Sequence, residues 1–397
     1  MSNPHQAPEP TTMIPYGRHD ISEDDERAVL ETLRSDFLTQ GPAVPRFERA
    51  IATRVGAAHA VAVNSATSAL HIACLALGLG PGDVLWTVPN TFIASANCAR
   101  YCGADVDFVD IDVHSRNMSV AALADKLARA AAGGRLPKIV VPVHFSGLPC
   151  DMAEIRALSR QYGFFVIEDA SHAVGARYQD TAIGDCRHSD ITVLSFHPVK
   201  IITTAEGGMA LTQDAELARR MEMFRSHGME RDPARFVDPP EGPWDYEMQA
   251  LGYNYRLTDL HAALGLSQLQ RLDPILATRT AMAERYDTLL AKLPVTVPAL
   301  VPDRSSAWHL YVVELGEPVV RSRVDVFTAM RAAGVGVAVH YIPVHLQPYY
   351  RALGFKAGDY PAAETYYGRC LTLPLYPTLT QAQQSRVVEV LQSAVSG

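Results

Sequence analysis

The sequence predicts an α/β fold: a large domain on a mostly parallel central sheet, then a smaller C-terminal α+β domain. Three observations carry this. Between residues 59 and 212, short β-branched runs alternate with helical patterns. The strand candidates read as near-continuous apolar segments, as strands covered on both faces do. Beyond residue 256 the alternation gives way to longer helical patterns with fewer strands. A chain of 397 residues is too long for one small core and suits this arrangement. Residues 1–12 are expected as a disordered tail, 13–255 as the large domain and 256–397 as the small one.

The tail is rich in Pro and polar residues and has neither the basic nor the apolar region of a signal peptide. Ser22 ahead of Asp25 and Glu26, then Val29, Leu30 and Leu33, marks a capped amphipathic helix. Strands are expected at 59–63, 84–89, 106–110, 138–144, 164–169, 191–196 and 209–212. Helices are expected at 66–77, 91–101, 119–132, 151–162 and 215–227. Residues 228–254 carry Pro, Asp and aromatics without a period and read as a surface loop. Long loops in compact domains usually serve function. Long helices follow over 257–293, with a break near Asp273-Pro274. Strands are expected at 309–315 and 335–340, and helices at 323–333, 362–370 and 380–396.

Composition narrows the function classes. Lys plus Arg is 35 and Asp plus Glu is 43, a formal net charge of −8. That balance argues against nucleic acid or an anionic membrane surface as the main partner. No apolar run reaches the ~18 residues of a spanning helix, and 48% apolar content excludes global disorder. The six cysteines form no C-x-x-C pair and no disulfide framework, so they are expected as core thiols in a reducing cytoplasm. Cys98 and Cys102 lack a second ligand pair nearby, and Pro343 separates His340 from His345, so no metal site is expected. Gly78-x-Gly80-x-Gly82 has a helix before it and a strand after it. That inverts the order a dinucleotide fingerprint needs.

Three segments at strand ends carry chemistry. Ligands of open parallel sheets bind outside the carboxyl ends of the strands. The run Val63 to Ala69 passes from a strand through Asn64, Ser65, Thr67 and Ser68 into a helix. Helix N-terminal N–H groups with hydroxyls suit a phosphate. The strand over 164–169 ends in Glu168-Asp169, followed by Ala170-Ser171-His172. A carboxylate there can hold a protonated ring nitrogen. Ser195-Phe196-His197-Pro198-Val199-Lys200 places a lysine in an apolar turn just past a strand. Desolvation there lowers a lysine's pKa and frees its amine as a nucleophile. Together these are the parts that pyridoxal phosphate needs: a phosphate cradle, an acid for the pyridine nitrogen and a lysine for the aldehyde.

From about Met13 to the C-terminus the chain resembles the DegT/DnrJ/EryC1/StrS sugar aminotransferases, which have the type I pyridoxal-phosphate fold. The shared wording includes Pro89-Asn90-Thr91-Phe92, Glu206-Gly207-Gly208, Gly252 through Asp259 and His340 through His345. Within the family, Ser-Phe-His-Pro-Val-Lys and Asp-Ala-Ser-His are most similar to the pseudaminic acid branch. The resemblance implies that Lys200 binds the cofactor covalently and shuttles the proton, and that Asp169 pairs with the ring nitrogen. It implies that Phe92 stacks on the ring and that Ala66, Thr67 and Ser195 hold the phosphate. His172 matches a position near the ring oxygen where many relatives carry Gln. Asn254 matches a residue that reaches the neighbouring subunit's cofactor phosphate, which implies a homodimer with shared sites. Arg231, Arg256, Tyr341 and His345 are candidate nucleotide-sugar contacts.

The activity so implied moves the amine of L-glutamate to the C4 keto group of a UDP-linked 4-keto-6-deoxy-N-acetyl sugar. The rival substrates are other keto sugars, aminated at C3 or C4, on UDP, GDP or dTDP. Two other classes share the fold. Sugar dehydratases carry His where this chain has Lys200. Pyridoxal-phosphate-sensing regulators carry an added helix-turn-helix domain, for which the 12-residue tail has no room.

Overall fold

In the computed structural model, residues 13–316 and 321–396 are described; the expected disordered tail, 1–12, lies outside them. The central sheet has seven strands. Their spatial order is His59–Val63, Gly208–Thr212, Ile191–Ser195, Phe165–Asp169, Ile139–Val141, Val84–Thr87 and Asp105–Phe108. Each pair from Ile191–Ser195 to Asp105–Phe108 is parallel. Gly208–Thr212 runs antiparallel to both of its neighbours. The seven strands expected between residues 59 and 212 are all present in this sheet, most of them shorter by one to four residues. Side chains alternate across the sheet: Val166 joins one apolar cluster and Ile167 the other. Helices cover both faces, as buried parallel strands require.

Capping sets the helix starts. Ser22 and Asp25 form a reciprocal capping box at Glu23–Leu33. Asp25 is buried there and accepts from Gln268 at 2.6 Å and Arg271 at 2.7 Å, tying the N-terminal helix to residues beyond 257. Asp214 caps Ala215–Arg225 by accepting the N–H groups of Glu216 and Leu217.

The C-terminal region departs from expectation in three places. First, residues 335–340 form no regular strand. Val335 makes a single bridge to Ile14 and Ala338 one to Thr372, because the N-terminal segment crosses here. Gly336 allows that crossing: a Cβ on it would lie 2.9 Å from the Ile14 carbonyl oxygen. Second, a three-stranded sheet takes its edge from Cys370–Leu373, of which the sequence reading places only Cys370, at a helix end; the strand pairs antiparallel with Tyr311–Leu315. Third, the long helices break at Arg271, between Asp259–Gln270 and Leu272–Leu290. Pro274 sits in the first turn of the second helix, where its missing N–H costs nothing. The stretch 228–254 holds a two-residue hairpin, Met229–Glu230 with Glu247–Met248, and a 3-10 turn at Pro233–Arg235. Among the described residues, no helix is long and apolar enough to cross a membrane. All six cysteines are free, and only Cys102 is not fully buried.

Candidate active site

Three strands of the sheet end beside one cavity of about 340 Å³. His59–Val63 leads into the helix Ala66–Ala76, and its cap Ser65 accepts the Ser68 N–H at 3.1 Å. The Ala66 and Thr67 N–H groups lie in the first turn, without partners inside the helix, and both residues line the cavity. The helix dipole adds positive potential at this end, as a phosphate requires. Gly208 pairs with Val63 on one side and Ser195 on the other. Any Cβ on it would collide with the backbone of Ser65 and Ala66, so only glycine lets strand and turn meet.

Asp169 closes its strand in the same cavity and is buried. Oδ2 accepts from Ser95 Oγ at 2.6 Å and Oδ1 accepts the Ser171 N–H at 3.1 Å. Its neighbour Glu168 points to the opposite face and takes a 2.8 Å hydrogen bond with His144 Nε2. Burial is the largest single influence and works to raise the Glu168 pKa, but the hydrogen bond and charge of His144, with Ser189 and His188, together lower it. The alternation of the strand therefore assigns the two adjacent carboxylates to different partners.

Lys200 follows the strand Ile191–Ser195 on a tight turn, its N–H donating to the His197 carbonyl at 2.8 Å. Solvent reaches part of the residue, yet its ammonium is packed among buried groups. Desolvation lowers its pKa to about 8, against an opposing pull from Asp169. No side chain among the described residues hydrogen-bonds to Nζ. With a pKa of about 8, the free-amine fraction rises roughly tenfold between pH 7 and a plateau above pH 9. The rate at which apoprotein takes up pyridoxal phosphate, followed by visible absorbance, should rise in parallel. A rate still climbing steeply at pH 10 would mark an ordinary solvated lysine instead.

The far wall is built of rings. His172 Nδ1 accepts the Ser146 N–H at 3.3 Å, which leaves the ring proton on Nε2, 3.1 Å from the Tyr341 hydroxyl. Burial, then Lys200 and His340, holds His172 well below its usual pKa, so the ring is neutral. His340 is lowered to about 4 by burial and by Lys200. Tyr341 is raised by burial and by Asp169 and keeps its proton. Phe92 is 57% exposed at the cavity mouth, its ring centroid 6.4 Å from that of Tyr341.

The structure thus brings Ala66, Thr67, Phe92, Asp169, His172, Ser195, Lys200 and Tyr341 around one cavity. Four sequence-selected residues lie elsewhere. Arg231 and Asn254 are exposed on the stretch after His227, outside their own chain's cavity. Arg256 bridges to Val63 through its backbone. His345 is fully buried and hydrogen-bonds Glu364 at 2.9 Å, away from the cavity. Sequence reasoning missed Ser95, Ser146 and His309. Only Ser95 left a signal, one turn after Thr91 in the quoted Pro89-to-Phe92 run, where the Thr91 and Ser95 hydroxyls lie 2.9 Å apart.

The donor set fits pyridoxal phosphate. A helix N-terminus with Ser195 suits the phosphate, a buried carboxylate suits a pyridinium and a desolvated lysine suits an aldehyde.

Comparison with known proteins agrees. Residues 19–392 match the model of the DegT/DnrJ/EryC1/StrS aminotransferase family. The spore coat polysaccharide biosynthesis protein SpsC of Bacillus subtilis is 41% identical over 388 residues, covering 97% of each chain. Helicobacter pylori PseC, an aminotransferase involved in pseudaminic acid biosynthesis, superposes with a TM-score of 0.89. It is 28% identical and the match covers 97% of this chain and 99% of that one. The PLP form of a putative sugar aminotransferase, Spr1654 from Streptococcus pneumoniae, has a TM-score of 0.86 and 27% identity. That match covers 96% of this chain and 98% of its own. Cavity, donor set and comparisons converge: the chain belongs to the DegT/DnrJ/EryC1/StrS aminotransferase family, and its cofactor is pyridoxal phosphate.

Proposed function

We propose that the protein transfers the amino group of L-glutamate to the C4 keto group of a UDP-linked 4-keto-6-deoxy-N-acetyl sugar. The observation that carries this is the shape of the site. The cavity around Lys200 shares Thr91, Phe92 and Tyr341 with a more open hollow of about 670 Å³. Tyr101, Ile342 and Tyr349 line that hollow, and Arg100 Nε donates to the Tyr349 hydroxyl at 3.3 Å. A small reacting group suits the inner cavity, and a nucleotide suits the outer one.

In this reading Ala66, Thr67 and Ser195 hold the cofactor phosphate, Asp169 holds the ring nitrogen, His172 faces the ring oxygen and Phe92 covers the ring. When bound, the cofactor supplies a pyridine ring that takes up the electron pair left on the amino-bearing carbon. Lys200 Nζ removes the proton from that carbon of L-glutamate and returns a proton to the sugar carbon in the second half. Water supplies the oxygen of the 2-oxoglutarate released in the first half, and the sugar's ketone oxygen leaves as water in the second. Tyr341 and His172, both held neutral, position polar groups without competing for that proton.

A homodimer completes the site, with Asn254 reaching the partner's cofactor phosphate. Supporting this, Asn254 is exposed, and the hairpin stretch before it exposes Trp244 at 75% and Leu251 at 75%. A second reading, C3 or C4 transfer to another nucleotide-linked keto sugar, is supported by the higher identity to the spore coat protein, 41% against 28% for PseC.

Competition among UDP-, dTDP- and GDP-linked 4-keto-6-deoxy sugars, with L-glutamate as donor, separates the two. The UDP N-acetyl sugar should lead in kcat/KM by about a hundredfold, the scale of pocket-based discrimination. NMR of the product should place the new amine on C4. Faster turnover of a dTDP or GDP sugar, or an amine on C3, would favour the second reading.

A further inference from the structure

We infer that His309 binds the α-carboxylate of the amino donor. The inference rests on the reading of L-glutamate as that donor. His309 lines the same cavity as Lys200 and is 5% exposed. Its ring centroid lies 4.4 Å from that of His172, at a 47° tilt. Neither ring nitrogen has a hydrogen-bond partner among the described residues. Nδ1 is shut off from solvent, so Nε2 is the nitrogen open to the cavity. A buried unmet acceptor costs less than a buried unmet donor. The proton therefore sits on Nε2, which becomes a free N–H donor in the reaction chamber. His172 differs: both of its nitrogens are engaged.

The surroundings select an anion. Burial acts most strongly on His309, and of the charged groups that follow, Lys200 and Arg279 are cationic and none is acidic. Arg279 is fully buried and donates to the carbonyls of Trp308 at 3.0 Å and Leu375 at 3.2 Å, with no carboxylate on it. Of the two acids lining the cavity, Asp169 is engaged by Ser95 and Ser171, and Glu206 lies exposed just after Thr204. Of the anionic groups on the two substrates, one is bonded directly to the carbon on which Lys200 acts: the α-carboxylate of the amino acid. The diphosphate of a nucleotide sugar lies several bonds from its reacting carbon. A neutral N–H donor beside Lys200 is thus placed for the carboxylate.

Glutarate, which has both carboxylates and no amine, isolates binding from chemistry. Calorimetric titration of the cofactor-loaded protein should show His309→Leu binding glutarate at least about tenfold more weakly than wild type, as loss of a hydrogen bond to a charged group does. His309→Gln keeps an N–H donor and should restore most of the affinity. In kinetics, His309→Leu should raise KM for L-glutamate and leave KM for the sugar nearly unchanged. In wild type, the ¹⁵N signal of the His309 ring should move as glutarate is added, which requires no variant to fold. An unmoved ring signal, or equal glutarate affinity in His309→Leu, would overturn the inference. Glutarate bound through His309 in a protein that aminates no nucleotide sugar would sustain the inference and sink the proposed substrate.

Discussion

Lys200→Ala should fold, lose the visible absorbance of lysine-linked cofactor and lose amino transfer by on the order of 10³-fold or more. The physical ground is the absence of a substitute. Lys200 is the one lysine lining the cavity among the described residues. Lys126 is paired with Asp107 at 2.6 Å and Lys138 with Asp83 at 2.8 Å, both away from it. Around the cavity, His172 and His340 are held uncharged, Asp169 is bonded to Ser95, and the exposed Glu206 carries no amine. None can both link the cofactor and move the proton. The alanine also removes a partly desolvated charge rather than a core side chain, so the fold should persist in circular dichroism. A Lys200→Ala protein with normal turnover would show that the chemistry runs elsewhere.

The second large effect belongs to Asp169→Asn. The exchange is isosteric, so the asparagine oxygen can still accept the Ser171 N–H and its amide can face Ser95 Oγ. What disappears is the negative charge proposed to hold the ring nitrogen. Breaking one side of a buried charge pair costs about 3–5 kcal/mol, and that range corresponds to roughly 200- to 5,000-fold in rate. Turnover should fall by that factor while phosphate binding at Ala66 and Thr67 persists, so the variant should still retain cofactor on gel filtration. Turnover within a few-fold of wild type would remove Asp169 from the mechanism. Complete loss of cofactor would assign it an anchoring role instead.

The strand-end segments were legible because each functional residue follows an apolar run. Ser65, Asp169 and Lys200 lie at or a few residues beyond strand ends, and the sheet order brings those ends beside one cavity. Residues whose role depends on long-range meeting left no comparable mark. Ser95 reaches Asp169 across 74 positions, and His309 follows the equally apolar-looking Ala307-Trp308. The small domain misled for a related reason. Val335, Val337 and Val339 alternate as in a strand, but the neighbours available to pair them are the crossing Ile14 segment and one residue of the last strand. Cys370 reads as the last residue of a helix over 362–370, and only pairing with Tyr311–Leu315 makes Cys370–Leu373 an edge strand. His345 drew attention as an ionisable residue in a family motif, whereas in the fold Glu364 and the Tyr360 ring enclose it.

The central claim is that Lys200 carries the cofactor inside this cavity. Borohydride reduction of the loaded protein, followed by peptide mass spectrometry, tests it most directly. The account predicts one pyridoxyl-phosphate adduct per chain, on Lys200, with L-glutamate added before reduction preventing it. An adduct on Lys126, Lys138, Lys292 or Lys356 in place of Lys200, or none on any lysine, would contradict the account.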